Sequence, residues 1–211
     1  MEDQVASTTS LGVSRMRAIH TRRDPQPILH DPWGDHLVPV PLLMAMLNPA
    51  GAQLHSAIAG ADSDAALARM TDDILRASPA YTNVITRSRY TEDALGAALA
   101  RGVRQYVLIG AGFDSYALRR PPQAADLQVF EVDHPATQGL KKRRIAECGI
   151  TVEAGVHFVA TDLAREALDT ALSRTSFNRA APTFFSWLGV TMYLTRAANM
   201  SALKSIVDCS A

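Results

Sequence analysis

Short apolar runs alternate with helical segments throughout the second half of the chain, and this alternation constrains the fold more than any other feature. The runs predict four strands, at residues 105–109, 128–132, 156–159 and 183–187. The segments around them predict helices at about residues 115–119, 136–147, 163–172 and 195–207. Because alternating strands and helices are typical of a parallel sheet covered on both faces, the sequence predicts an α/β fold.

The amino-terminal part of the chain has a different pattern. Six prolines interrupt the first 60 residues, which predicts short helices and turns that wrap over the rest. From Ser63 the apolar residues recur at helical spacing until Pro79, and a second helix is expected from about Thr82 to Ala100, closed by Gly102. We therefore divide the chain into a helical or irregular cap segment, residues 1–60, and a main α/β domain, residues 61–211.

Composition narrows the classes of function. With 211 residues, 47% of them hydrophobic, the chain can bury a sizeable core. Its 21 basic residues balance 21 acidic ones, which argues against a nucleic-acid partner. The apolar runs are too short for a signal peptide or a membrane span, so we expect a cytoplasmic protein. Cys148 and Cys209 have neither disulfide-framework nor metal-ligand spacing, so no metal is expected.

Ligands of parallel sheets bind beyond the carboxyl ends of the strands, so the residues after each run are the candidate site. Gly110 and Gly112 follow the first run, with Asp114 close behind. The second run contains Glu131 and Asp133, two acids on one side of a strand, 21 and 23 residues after Gly110. Acids at this edge grip a ribose in nucleotide-binding folds. The alternatives are a merely tight turn and a solvated strand end.

Asp162 follows the third run at the same edge of the predicted sheet. Its carboxylate could accept a hydrogen bond from an adenine amino group, or it could cap the helix that follows. The sequence leaves both roles open, and one aspartate can serve both.

A dinucleotide-binding protein that uses NAD shares this layout and is one alternative. Its fingerprint needs glycine or alanine at the third small position, which Ser115 occupies here. A class I S-adenosylmethionine-dependent methyltransferase, with a shorter glycine loop followed by an acid, fits better.

Four ordered motifs carry a family resemblance: residues 106–115, 130–135 and 187–194, and the Arg-Ser-Arg-Tyr segment 87–90 with Asp93. Together with Asp31-Pro32-Trp33 they make the chain resemble the leucine carboxyl methyltransferase family, and within it the actinobacterial S-adenosyl-L-methionine-dependent methyltransferases. The resemblance implies a Rossmann-like parallel sheet with a helical amino-terminal extension, and S-adenosylmethionine as the cofactor of residues 61–211.

The resemblance also implies site residues. It places cofactor contacts at Arg87, Gly110, Asp133 and the pair Asp162-Leu163, with Arg87 facing the methionine carboxylate, Asp133 the ribose and Asp162 the adenine. Gly112, Asp114 and Glu131 join them as the neighbouring candidates. Leu188 departs from the family, which has glutamate there, and leucine cannot accept a hydrogen bond.

No catalytic side chain is identified, because a carboxylate acceptor needs no general base. His134 is the candidate base if the acceptor is a hydroxyl, and a turn residue otherwise. We expect Tyr193 to be a buried packing residue.

The extent of the sheet and the methyl acceptor complete these expectations. A class I methyltransferase sheet normally has seven strands, so the resemblance implies a sheet that is incomplete at the carboxyl end. A non-catalytic remnant that binds cofactor weakly, or not at all, is therefore a further alternative. The expected partner is a small-molecule methyl acceptor, a carboxylic acid or a hydroxylated lipid or polyketide-like metabolite; a protein carboxyl terminus is also open.

Overall fold

A parallel sheet forms the centre of the computed structural model, which describes residues 6–48 and 61–209. Within these residues the strands are β1 (Gln105–Ile109), β2 (Gln128–Asp133), β3 (Val156–Ala160) and β4 (Thr183–Trp187), in the order β3-β2-β1-β4. All neighbouring pairs are parallel. The four predicted strands and the α/β class are confirmed.

Helices pack around this sheet, both before β1 in the chain and after it. In the described ranges they are α1 (Thr8–Arg23), α2 (Trp33–Leu37), α3 (Val40–Leu47), α4 (Ala61–Ala77), α5 (Ala80–Ala100), α6 (Pro135–Glu147), α7 (Leu168–Ser173) and α8 (Arg196–Asp208). The predicted helices over α4, α5, α6 and α8 are confirmed to within a few residues. The boundary at residue 60 lies outside the described residues and stays a prediction.

The two faces of the sheet bury separate apolar clusters. On one face, Tyr106 and Leu108 of β1 pack with Leu95 of α5. On the other face, Val107 and Ile109 pack with Leu168 and its neighbours on α7. Because strand residues alternate between faces, the nearly continuous apolar runs of the sequence are what a sheet covered on both sides requires.

Two predicted helices differ from the structure for one physical reason. The segment 115–119 forms only a single 3-10 turn (Tyr116–Leu118), and the helix expected from Leu163 begins five residues later, at Leu168. In each case a preceding aspartate accepts a backbone N–H two residues on: Asp114 from Tyr116 at 2.8 Å and Asp162 from Ala164 at 2.9 Å. Such local bonds compete with helix formation.

The amino-terminal helix packs on α5 through buried apolar contacts and forms a buried ion pair with the segment before α2. Met16 and Ile19 of α1 lie against Val84 and Ile85 of α5. The Arg17 guanidinium forms a buried ion pair with Asp31 at 2.7 Å. These contacts fix α1 over the carboxyl edge of the sheet, where the candidate site lies.

Candidate functional site

A cavity of about 610 Å³ opens at the carboxyl ends of the strands. This volume falls within the range of small-molecule sites, roughly 300–1,000 Å³. Of the sequence-predicted residues, the cavity is lined by Arg87, Gly110, Gly112, Asp114, Asp133, Asp162 and Leu163. Residues from five separate segments, α1, α5 and the ends of β1, β2 and β3, therefore meet at one place, and the loop after β4 completes the wall.

The loop after β1 forms part of the wall and requires its glycines. Gly110 and Gly112 have φ values of 70° and 52°, in the left-handed region that side chains rarely adopt. A Cβ on Gly110 would lie 2.1 Å from Cγ2 of Val190, and one on Gly112 would lie 2.8 Å from Cβ of Ser10. The loop is thus closely covered by α1 on one side and by the segment after β4 on the other.

Asp133, the last residue of β2, connects this loop to the strand edge. One carboxylate oxygen accepts the N–H of Gly112, and the other accepts the N–H of His134 at 2.6 Å. Burial raises the pKa of Asp133, and these two donors oppose the rise. The side chain is partly buried, faces the cavity and retains lone pairs for a ligand donor.

Glu131 does not share this position, which corrects the expectation that it contacts a ligand. Its side chain is buried, forms an ion pair with Lys141 and does not line the cavity. Burial raises the pKa of Glu131, and the Lys141 ammonium opposes that rise. Glu131 and Asp133 share one side of β2, as predicted, but two residues span about 6.6 Å along a strand. Only the second acid therefore reaches the open edge.

Arg87 reaches the cavity from α5. Its guanidinium donates to the side-chain oxygen of Asn83 at a long 3.4 Å, and no carboxylate of the described residues forms an ion pair with it. A Cβ on Gly189 would lie 2.9 Å from Nη1 of Arg87, so that glycine makes room for the guanidinium. Burial, and then the charge of Arg17, lowers the pKa of Arg87. The cavity thus contains a guanidinium that has no ion-pair partner in the part of the chain that the structure describes.

Asp162 and Leu163 lie at the end of β3 on the far side of Asp133. The Asp162 carboxylate accepts the N–H of Ala164 and contacts Nε of Arg165 at 3.3 Å. Asp162 therefore stabilises a local turn and does not cap the following helix, which begins at Leu168 with Ala167 as its N-cap. A ligand contact at the same carboxylate stays a prediction.

Comparisons with known proteins identify the family of this chain. A sequence profile described as "Leucine carboxyl methyltransferase" matches residues 10–207. The chain belongs to the leucine carboxyl methyltransferase family. The family resemblance expected from the motifs is confirmed.

Several relatives align with this family member over more than half of its length. A protein of Mycolicibacterium smegmatis (strain ATCC 700084 / mc(2)155) is 33% identical over 97% of the chain and 63% of its own length. One of Mycobacterium ulcerans (strain Agy99) is 32% identical over 96% and 61%. YktD of Bacillus subtilis (strain 168) is 40% identical over 58% and 40%. All three are named as S-adenosyl-L-methionine-dependent methyltransferases, and the chain spans less than two thirds of the length of each.

A solved structure is also similar to this family member. The apo form of SibL, an S-adenosylmethionine-dependent methyltransferase, matches with a TM-score of 0.38 and 15% identity, over 97% of this chain and 72% of that one.

The first turn of α1 and the residues after β4 close the cavity of this family member, which the sequence did not indicate. Tyr193, expected to be buried, is 61% exposed, and its hydroxyl donates to Oγ1 of Thr9 at 3.1 Å. Ser7, Ser10 and Val13 line the same side. The correction has a simple cause: only the placement of α1, 184 residues earlier in the chain, gives this tyrosine a hydrogen-bond partner at the surface.

Arg17 was also missed. Besides its ion pair with Asp31, it donates to the carbonyl oxygen of Phe113 at 2.8 Å and lines the cavity. The Asp31-Pro32-Trp33 motif was the available signal, because an aspartate buried in this helical layer needs a cationic partner.

His134 and Leu188 both line the cavity of this family member. The ring Nδ1 of His134 accepts the N–H of Ala136 at 3.3 Å, so this histidine caps α6. Within the described residues no group of His, Cys, Asp or Glu side chains could hold a metal ion. No helix there is long and apolar enough to cross a membrane.

Proposed function

We propose that this chain binds S-adenosylmethionine in the cavity and takes part in methylating an oxygen atom of a small molecule, either a carboxylate or a hydroxyl. The observation that carries the proposal is the convergence on one cavity of two groups: Arg87, which forms no ion pair with a described residue, and Asp133, a strand-end carboxylate with free lone pairs. The names of the relatives support the same cofactor. We also propose a cytoplasmic location.

The residues present fit this cofactor by charge and shape. Arg87 would pair with the methionine carboxylate, since a guanidinium forms charge-assisted bonds to that group. Asp133 would accept hydrogen bonds from the ribose hydroxyls. Asp162 would accept one from the adenine amino group, with Leu163 beside it as an apolar wall. Gly110 and Gly112 would let the ligand approach the backbone closely.

Methyl transfer depends mainly on alignment of the reacting groups and on exclusion of water from this site. When bound, the cofactor supplies a methyl group on a positively charged sulfur, and the acceptor oxygen displaces that sulfur, which keeps the bonding electron pair. The first turn of α1 and Tyr193 cover the cavity and would exclude water. For a hydroxyl acceptor, His134 would accept the proton at Nδ1 and give up its bond to the N–H of Ala136, whereas a carboxylate acceptor needs no base. Leu188 supplies no hydrogen bond to the cofactor amino group.

Isothermal titration of the ligand-free protein with S-adenosylmethionine and with NAD tests the cofactor assignment. We expect binding of the first and none of the second. Heat with NAD alone would overturn the proposal and favour the dinucleotide alternative. Silence with both ligands would favour the non-binding remnant.

Asp133→Asn tests the role of the strand-end carboxylate. We expect cofactor binding to weaken by about 1–3 kcal/mol, because the ribose hydroxyls lose a charged acceptor. Asp126→Asn, on an exposed residue just before β2, is the matched control and should bind like the unchanged protein. Equal affinities for the two variants would remove Asp133 from the cofactor site.

A transfer assay separates catalysis from binding. Cofactor labelled in the methyl group would be incubated with the protein and a metabolite extract, and labelled products would be identified by mass spectrometry. A labelled ester would identify a carboxylate acceptor and a labelled ether a hydroxyl acceptor. Tight binding without any labelled product would contradict the proposed methyl transfer by this chain.

A further inference from the structure

A buried ion pair lies directly behind the glycine loop and does not face the cavity. Lys141 of α6 and Glu131 of β2 are each 1% exposed. The Lys141 ammonium also donates to the carbonyl oxygen of Asp114 at 2.5 Å. One cation therefore connects the central strand, the first helix after it and the loop.

Stability alone does not account for this pair. Taking two charges out of water is costly, and apolar residues of similar volume are often as stable or more so. The second carboxylate oxygen of Glu131 has no hydrogen-bond partner among the described residues, so the pair is incompletely satisfied. Asp114 and Asp133 both lie close enough to raise the pKa of Glu131. Lys141 thus sits among three acidic side chains.

The bond from Lys141 to the carbonyl oxygen of Asp114 in the loop is the contact that stability does not explain. Three consecutive loop residues are each held by a side chain from a different element: Gly112 by Asp133 of β2, Phe113 by Arg17 of α1, and Asp114 by Lys141 of α6. A loop with two left-handed glycines has many alternative conformations, and such anchors select one of them. Lys141 is also on the helix that begins directly after Asp133 and His134.

We propose that Lys141 is a positioning residue for the cofactor-binding loop: its ammonium fixes the carbonyl of Asp114, and Glu131 neutralises the charge that this requires. The consequence for S-adenosylmethionine rests on the function proposed above. The consequence for the loop does not, because the contacts are present without a ligand.

The experiment separates positioning from stability with two variants. Lys141→Met alone leaves Glu131 as a buried uncompensated acid and is expected to be unstable. The double variant Glu131→Leu, Lys141→Met removes both charges and keeps the volume filled. Lys142→Met, on the exposed neighbouring lysine, is the matched control. For each protein we would measure thermal unfolding, affinity for S-adenosylmethionine, and hydrogen exchange of the Asp114 and Tyr116 amides without ligand.

We expect the double variant to unfold close to the temperature of the unchanged protein, to bind the cofactor about tenfold or more weakly, and to exchange the loop amides faster. A double variant with unchanged affinity and unchanged exchange would overturn the proposal. Failure of both variants to fold would assign the pair to folding and would overturn it as well. If the unchanged protein binds no S-adenosylmethionine, the proposed function fails, while the exchange comparison still decides the role of Lys141.

Discussion

Arg17 and Arg87 both line the cavity, but their guanidinium groups have different surroundings. Arg17 has a buried carboxylate partner in Asp31 and a second acceptor in the carbonyl of Phe113. Arg87 has one long bond to Asn83 and a neighbouring positive charge from Arg17. Arg17 is therefore satisfied within the fold, whereas Arg87 has no carboxylate partner among residues 6–48 and 61–209.

Arg87→Met should therefore weaken binding without harming the fold. We expect a roughly 10- to 100-fold loss of affinity for S-adenosylmethionine, since a hydrogen bond between charged groups contributes about 1.5–3 kcal/mol. The unfolding temperature of the ligand-free protein should stay the same or rise, because the lowered pKa of Arg87 marks a cation that is less favourable in the folded chain. Arg89→Met, two residues along α5 and paired with Asp93, is the control for both measurements. An equal loss of affinity in both variants would contradict the prediction.

Local sequence identified the candidate residues that lie at strand ends, because the sheet itself brings those positions together. Gly110, Asp133 and Asp162 are of this kind. It did not separate Glu131 from Asp133, since that difference is one of depth along a strand. It also missed Arg17, whose bond to Phe113 spans 96 residues and depends on where α1 packs.

At the level of elements, a hydrogen bond and an ion pair stabilise the connection from β3 to α7, in place of the helical turns that were predicted there. Thr161, a cavity residue, donates to the Glu166 carboxylate at 2.6 Å, and Arg174 pairs with the same carboxylate. Arg174, and then Thr161, lowers the pKa of Glu166 to about 2. This cluster replaces the first turns of the helix that the apolar pattern predicted from Leu163.

Glu166→Gln should reveal this contribution through its pH dependence. A carboxyl whose pKa is lower in the folded chain stabilises it fully above the ordinary pKa near 4.5, and this contribution is lost as pH falls towards about 2. We expect the variant to unfold at a slightly lower temperature than the unchanged protein at pH 7, and this difference to shrink as the pH falls through about 2. Glu153→Gln, on an exposed residue that also pairs with an arginine, is the comparison. A difference between Glu166→Gln and the unchanged protein that is as large at pH 2 as at pH 7 would refute the assignment.

At the level of the whole molecule, a network of ion pairs joins three of the amino-terminal helices, α1, α2 and α4. Asp72 of α4 accepts from Arg15 at 2.8 Å and from Arg22 at 2.5 Å, and both arginines of α1 also pair with Asp35 of α2. Arg15 and Asp72 are buried, and the others lie nearer the surface. The network joins three helices whose sequence separation hides it from local patterns, although the parallel sheet beside it was predictable from strand and helix alternation.

Asp72→Asn should lower the free energy of unfolding by up to about 3 kcal/mol, because it removes one of the two carboxylates that pair with the buried Arg15 guanidinium. Asp73→Asn, on a neighbouring residue with a 64% exposed side chain that pairs with Arg23, should cost less than about 1 kcal/mol. Urea unfolding of the two variants measures the difference. Cofactor affinity should fall only in the first, since α1 covers the cavity, and similar unfolding free energies would show that the network contributes little.

The first turn of α1, which covers the cavity, affects how the protein should be prepared for binding measurements. Ser7 caps α1 and its N–H donates to Oγ1 of Thr137 at 3.0 Å, and Ser10 lies directly over Gly112. A histidine-rich or acidic peptide fused just ahead of Ser7 would lie beside this contact and would compete with small molecules for the mouth of the cavity. Binding measurements should therefore be made on protein from which any such tag has been removed.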